Sequence, residues 1–168
     1  MKQIQLFENT SSGAEFSECH KYRYALWRIW DASKPFVMFI GLNPSTANET
    51  TDDNTIRRVK SFAHKWGYGG VYMMNCFAYI STDPNVLIDK ANDPEHYYLN
   101  NTWLMEIKLK CSEVIFAWGS FDIVKQMSRD QELIEMFPKA KALIINQDGS
   151  PRHPLYVPNN VIPVLYNI

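Results

Sequence analysis

The sequence predicts an α/β domain: a central, mainly parallel four-stranded sheet with helices on both faces, a three-layer α/β/α arrangement, preceded by an N-terminal β-hairpin. Three observations predict it. Short apolar runs recur at 37–42 (VMFIGL), 71–75 (VYMMN), 114–118 (VIFAW) and 142–146 (ALIIN). They are continuously apolar, as strands buried on both faces are. Stretches with helical spacing lie between them, and strands alternating with helices imply parallel pairing. A chain of 168 residues has the length of one domain, read here as 1–168 with 1–31 as the hairpin extension.

The hairpin is read from residues 3–7 (QIQLF) and 21–30 (KYRYALWRIW), with the turn-rich stretch NTSSG between them. The second segment alternates. Tyr22, Tyr24, Leu26, Arg28 and Trp30 fall on one side; Arg23, Ala25, Trp27 and Ile29 fall on the other. Period two predicts a strand, paired antiparallel with the first. A helix is predicted over 52–66, capped by Thr51 or Asp52, with Ile56, Val59, Ala63 and Trp66 on one face. A second is predicted over 94–110, where Leu99, Trp103 and Ile107 form a row at i, i+4. A third is predicted over 121–137.

Composition narrows the function. Apolar residues make up 46% and charged residues 21%, which excludes a disordered or collagen-like chain. The net charge is −1, so any nucleic-acid contact must be local. Cys19, Cys76 and Cys111 are widely spaced, with no C-x-x-C, and read as free thiols of a reducing cytoplasm. No secretory signal core and no apolar run near the ~20 residues of a membrane helix is present. The sequons at Asn9, Asn48 and Asn100 are therefore read as chance. Walker A, Rossmann, H-E-x-x-H and G-x-S-x-G motifs are all absent.

In a parallel sheet, ligands bind beyond the carboxyl ends of the strands. Each apolar run has a polar signature there: Asn43-Pro44-Ser45, Asn75, Gly119-Ser120, and the loop Arg152-His153-Pro154-Leu155-Tyr156. Each has a plain structural reading alone, as a turn, a cap or a satisfied loop residue. Together they bring two Asn, a Ser and a His toward one crevice. Such groups carry little net charge and suit a neutral heterocycle such as a nucleobase. Arg57, Arg58, Lys60 and Lys65 form an acid-free basic stretch, either a solvated helix face or a phosphate-facing surface. Asp52 and Asp53 read as helix-capping acids, with metal binding or general-base chemistry as the alternative.

The motifs RYALWRIW, GLNPSTANETTDDNTIRR, WGYGGVYMMNCFAY, AWG and DGSPRHPLY resemble those of an uncharacterised bacterial and phage domain-of-unknown-function family over residues 22–156. In order along the chain, Gly41–Ser45, Val71–Asn75, Phe116–Ser120 and His153–Tyr156 are similar to the motifs of the uracil-DNA glycosylase superfamily. That likeness implies N-glycosidic hydrolysis on a flipped base. Asn43 would position the attacking water, and Asn75 would read the polar edge of the base with Ser120 beside it. His153 would donate to the base oxygen that gains negative charge. Pro154, Leu155 and Tyr156 would wedge the duplex open. Arg57, Arg58, Lys60 and Arg152 are expected DNA contacts on their charge, Arg57 and Arg58 lying outside the glycosylase motifs. The likeness leaves the stacking aromatic unplaced between Phe62 and Phe77.

The expectation is a DNA glycosylase-like hydrolase, cytoplasmic and monomeric, with no cofactor and no metal. Its partner would be single- or double-stranded DNA or a nucleotide, with no membrane. Two alternatives stay open: a metal-dependent nucleotide or phosphodiester hydrolase using Asp52 and Asp53, and a non-catalytic module that recognises a modified base.

Overall fold

The computed structural model describes residues 10–91 and 93–166. They form an α/β fold on one mixed sheet of seven strands with five helices. The strands are β1 (Ser11–Phe16), β2 (Arg23–Ile29), β3 (Phe36–Gly41), β4 (Gly70–Asn75), β5 (Glu113–Phe116), β6 (Lys141–Ala142) and β7 (Val164–Leu165). Their order across the sheet is β1-β2-β4-β3-β5-β6-β7. The central neighbours β4, β3, β5 and β6 run parallel to one another. β2 joins β4 antiparallel, and β7 joins β6 antiparallel.

The helices are α1 (Asn54–Lys65), α2 (Leu87–Lys90), α3 (Pro94–Lys108), α4 (Asp122–Gln126) and α5 (Arg129–Met136). Alternate residues of the central strands bury into two separate clusters. Val37, Phe39, Val71, Met73 and Ile115 pack with Ile56, Val59, Phe62 and Ala63 of α1. Met38, Ile40, Tyr72, Met74 and Phe116 pack with Leu104 and Ile107 of α3 and Leu133 of α5. Each such large side chain contributes about 1.5–3 kcal/mol by leaving water. Among the described residues, no helix is long and apolar enough to cross a membrane.

Several elements differ from the sequence reading, each for a local reason. Residues 3–7 lie outside the described residues. The strand that pairs with β2 is 11–16, so part of the expected turn is itself strand. Gly13 allows this, because the Trp27 indole lies across it, and a Cβ there would sit 2.3 Å from the ring. The hairpin is not an extension, since β2 is bonded to β4 inside the main sheet. The β1–β2 register jumps from Glu15↔Ala25 to Phe16↔Arg23, leaving Tyr24 as an extra residue. Such a bulge re-aims the side chain beyond it. It returns Arg23 to the side of Leu26 and Arg28, opposite to strict alternation.

The cap of α1 is Asp53, whose Oδ1 accepts from the Ile56 amide at 2.9 Å, rather than Thr51 or Asp52. The helix expected over 121–137 is two, broken at Ser128, which takes a φ of 52°. The fourth run, 142–146, keeps only Ala142 in the sheet, paired as β6 with Lys141 before it, and then leaves it as a loop. The amide of Asn100 is spent inside the protein, on the Asn75 and Cys76 carbonyls. All three cysteines are free.

Asp52 anchors the start of α1 to β2. Its two oxygens take Arg28 Nε and Lys60 Nζ, each at 2.8 Å. Partial burial pushes this carboxyl up, but the hydrogen bonds and charges of Lys60 and Arg28 outweigh it and hold the group below the usual carboxylate range. A depressed folded pKa gives stability that is complete above the unfolded value of ~3.9 and is lost as pH falls through the folded value. Asp52→Asn leaves the buried Arg28 without its anion. It is expected to cost about 2–3 kcal/mol in urea unfolding at neutral pH and to flatten the fall of stability below about pH 4. An unchanged urea midpoint would show that solvent already compensates Arg28.

Candidate functional site

The strand order reverses at β3. The chain passes from β3 through α1 to β4 on one side, and β5 lies on the other. Crevices form beyond the carboxyl ends of strands at such a point. A cavity of about 170 Å³ opens there, lined by Asn43, Asn75 and His153 together with Arg23, Asp53 and Phe121. A wider cleft of about 530 Å³ adjoins it, lined by Ser120, Arg152, Leu155 and Tyr156. Thr55, Phe121 and His153 belong to both.

Asn75 ends β4 opposite Gly41 of β3. A Cβ on Gly41 would stand 2.7 Å from Met73 Cε and 3.1 Å from Asn75 Oδ1, so the glycine makes room for this side chain. Asn75 is 2% exposed, and its Nδ2 has no hydrogen-bond partner. Asn43 Nδ2 donates to the carbonyls of Pro44, Tyr79 and Ser81 at 3.1, 3.2 and 3.0 Å. That fixes the amide on the 79–81 loop and leaves its Oδ1 without a donor among the described residues.

His153 Nδ1 accepts the Leu155 amide at 3.2 Å as the cap of the short turn 154–156. Burial lowers the His153 pKa, with the Asp53 charge opposing it. The ring is therefore neutral at neutral pH. Since Nδ1 accepts, its proton sits on Nε2, which becomes a hydrogen-bond donor. Gly119 supports the loop: with φ of 77° it donates its amide to Pro151 at 2.8 Å. A Cβ there would meet Phe121 at 3.3 Å and His153 Cβ at 3.6 Å.

The remaining predicted residues divide. Ser120 is outside the smaller cavity, and its hydroxyl bonds Ser150 Oγ at 2.7 Å and Asn146 Nδ2 at 3.2 Å. Arg152 lines the cleft with Nε held on Asn146 Oδ1 at 2.7 Å. Leu155 and Tyr156 are 45% and 76% exposed at the cleft, but Pro154 is buried and cannot wedge into anything. Arg57 is exposed and donates to the Asp52 carbonyl. Lys60 is paired with Asp52.

Arg58, half-buried, bonds the histidine loop. Its Nε donates to the Pro154 carbonyl at 3.2 Å, and its other nitrogens to the Val157 carbonyl and Asn159 Oδ1. The guanidinium also lies 4.5 Å over the Phe62 ring.

Two cavity residues, Phe121 and Arg23, escape sequence reasoning. Phe62 and Phe77 are buried in the core, and the aromatic at the cavity is Phe121, 38% exposed. Its signal was its place two residues past the Gly119 turn. Asp53, which the sequence offers as a capping acid with metal binding or general-base chemistry as the alternative, both caps α1 and lines the cavity. Arg23 was assigned to the wrong side of β2. Its signal, an arginine inside an apolar strand, was visible. Among the described residues, no group of three or more His, Cys, Asp and Glu side chains could hold a metal ion.

A family model described as "Protein of unknown function (DUF1643)" matches residues 23–155, and the chain belongs to that family. No curated protein and no solved structure matches the chain.

The contacts of Arg58 make it the strap of the histidine loop. Arg58→Ala is expected to speed amide hydrogen exchange at 155–159 by about tenfold or more, corresponding to loss of a charged hydrogen-bond set worth over ~1.4 kcal/mol, while β3 and β4 amides keep their protection. Uniform loss of protection across the sheet would mean that Arg58 instead supports the whole core.

Proposed function

We propose that this member of the DUF1643 family binds a nucleobase of DNA, or of a nucleotide, in the smaller cavity and hydrolyses its N-glycosidic bond. One observation carries the reading: Asn43, Asn75 and His153, from three separate segments, line one small cavity beside an aromatic ring. The four parallel strands with α1 on one face and α3 and α5 on the other also support a glycosylase-like arrangement. Asn75 Nδ2 donates to the base edge. Phe121 supplies a stacking face. Tyr156 and Leu155 stand exposed at the cleft mouth, where they offset part of the few kcal/mol that extruding a base costs.

Breaking the bond leaves an oxocarbenium-like sugar and an anionic base. The neutral His153 donates from Nε2 to that anion, without a competing charge to discharge first. Asn43 Oδ1 accepts from water and orients it but cannot take its proton. Asp53, a carboxylate in the same cavity, serves as the base.

A recognition module without turnover is the second reading, favoured by the lack of basicity at Asn43. The metal-dependent reading loses support because both Asp52 oxygens are engaged by Arg28 and Lys60.

The test is a panel of oligonucleotides carrying deaminated, oxidised and hypermodified bases, scored for abasic sites with and without chelator. Chelator-insensitive base release is expected. Binding with no abasic product from any substrate would leave the recognition module.

On the active substrate, His153→Ala should slow single-turnover cleavage on the order of a hundredfold or more with little loss of affinity. Asp53→Asn is the cleaner probe, since Asn caps a helix about as well as Asp. It should keep the melting temperature and lose about a hundredfold in rate. Full activity in Asp53→Asn would remove Asp53 from the chemistry. The rate should also fall on the acid side as His153 becomes charged, at a pH below the ordinary histidine value of ~6.5. That limb should vanish in His153→Ala.

A further inference from the structure

Arg23 has no task in the fold that matches its position. Its backbone is fixed in the sheet, with its amide donating to Ala78 at 2.9 Å, and its side chain is 3% exposed beneath the 42–47 loop. A guanidinium carries five donors. Among the described residues the protein takes up one of its nitrogens: Nη1 donates to the Ala47 carbonyl at 3.0 Å. Nε is buried without a partner.

The other two arginines at this depth are a useful comparison. Arg28 holds Asp52 at 2.8 Å, and Arg129 holds Glu132 at 2.9 Å. Arg23 forms no ion pair among the described residues, although Asp53 stands near enough to favour its charge. Burial lowers its pKa to about 10, so it stays a cation at neutral pH. A buried cation without a contacting anion is costly unless something else supplies one. Arg23 lines the same cavity as Asn75, whose Nδ2 is likewise unpaired.

Resting on the base-binding reading above, we infer that Arg23 is the specificity-determining residue of the cavity and selects an acidic nucleobase, one whose exocyclic substituent carries an anionic oxygen. Three donor-bearing residues line the cavity: Arg23, Asn75 and His153. They match an edge rich in oxygen acceptors. Asp53 accepts an N–H from the ligand or from water, so an anion without any donor, such as sulfate, is the poorer fit. Arg23 comes from β2, outside the four parallel strands, and enters the cavity because of the bulge at Tyr24.

The experiment measures binding of uracil and of uracil-5-carboxylate to the full chain by calorimetry, so no turnover is needed. The carboxylate is expected to bind about tenfold tighter or more, the scale of one hydrogen bond to a charged group. Arg23→Gln should remove that preference, and Arg23→Lys should keep part of it. Equal affinity of the wild-type chain for both probes overturns the inference and leaves base binding intact. Binding of neither probe overturns base binding and this inference together. A preference that persists in Arg23→Gln also overturns it. Should Arg23→Gln fail to fold, the wild-type comparison with Arg23→Lys decides.

Discussion

The backbone carbonyls of Asn75 and Cys76, at the end of β4, are the fixed point on which the site depends. Both are held from the side of α3 and α5. Asn100 Nδ2 donates to the Asn75 carbonyl at 3.0 Å, and Arg129 Nε donates to that of Cys76 at 2.9 Å. Arg129 is fully buried, with Nη1 on the Tyr97 hydroxyl at 3.1 Å and its carbon centre 4.5 Å over the Tyr97 ring. Burying such a cation costs several kcal/mol unless it is paired and bonded. Glu132 supplies the pair. The break at Ser128 starts α5 at Arg129, and so places this group in the core. From the other edge, Gly41 of β3 lets the Asn75 side chain lie against the strand. The backbone at the end of β4 is thus fixed from the side of α3 and α5, and with it the point from which the Asn75 side chain leaves.

The cations of α1 act by the same logic but inward. Lys60 and Arg28 close on Asp52, and Arg58 ties down 154–159. Lys65 donates to the Asn159 carbonyl at 3.1 Å. A basic stretch in the sequence thus becomes a set of struts between α1, β2 and the histidine loop. Among the described residues, only Lys60 of these α1 cations is neutralised, on Asp52; Arg57, Arg58 and Lys65 bond neutral oxygens and keep their charge. The cleft mouth itself carries Tyr156, Leu155 and Phe121, so its exposed surface is largely apolar.

β3, β4, β5 and α1 were legible because their signals are local: continuous apolar runs, and an apolar face at helical spacing. The meeting of Asn43, Asn75 and His153 was legible because strand direction alone sends those loops to one edge. What stayed hidden depends on long-range or single-residue geometry. β6 and β7 are two residues each, too short for any period to emerge. The break between α4 and α5 is one left-handed serine, with no Gly or Pro to announce it. Arg23 was misplaced because one extra residue in a strand inverts every side chain beyond it, and no pattern in RYALWRIW marks the bulge. Arg58 was misread because its partners are about a hundred residues away.

The misplacement of Arg23 changes the chemistry inferred for the crevice. Without it the polar groups there look neutral. With it, the cavity holds a cation and a carboxylate that do not touch one another. Buried side-chain atoms without partners occur at Arg23, Asn75, Asn100, Asn101 and Arg129. Two of these line the cavity, and Asn100 and Arg129 hold the end of β4 behind it. An unpaired buried donor costs about 1–3 kcal/mol, so this chain concentrates unfavourable free energy at one end of its sheet. Folding does not require that: a leucine at the place of Asn75 or a methionine at the place of Arg23 would relieve it. Both orphans in the cavity are donors, and the neutral His153 adds a third. These donors stand beside two acceptors, the Asp53 carboxylate and Asn43 Oδ1, so the cavity offers both polarities from fixed positions, and a partner for its orphan donors would offset the cost of holding them away from water.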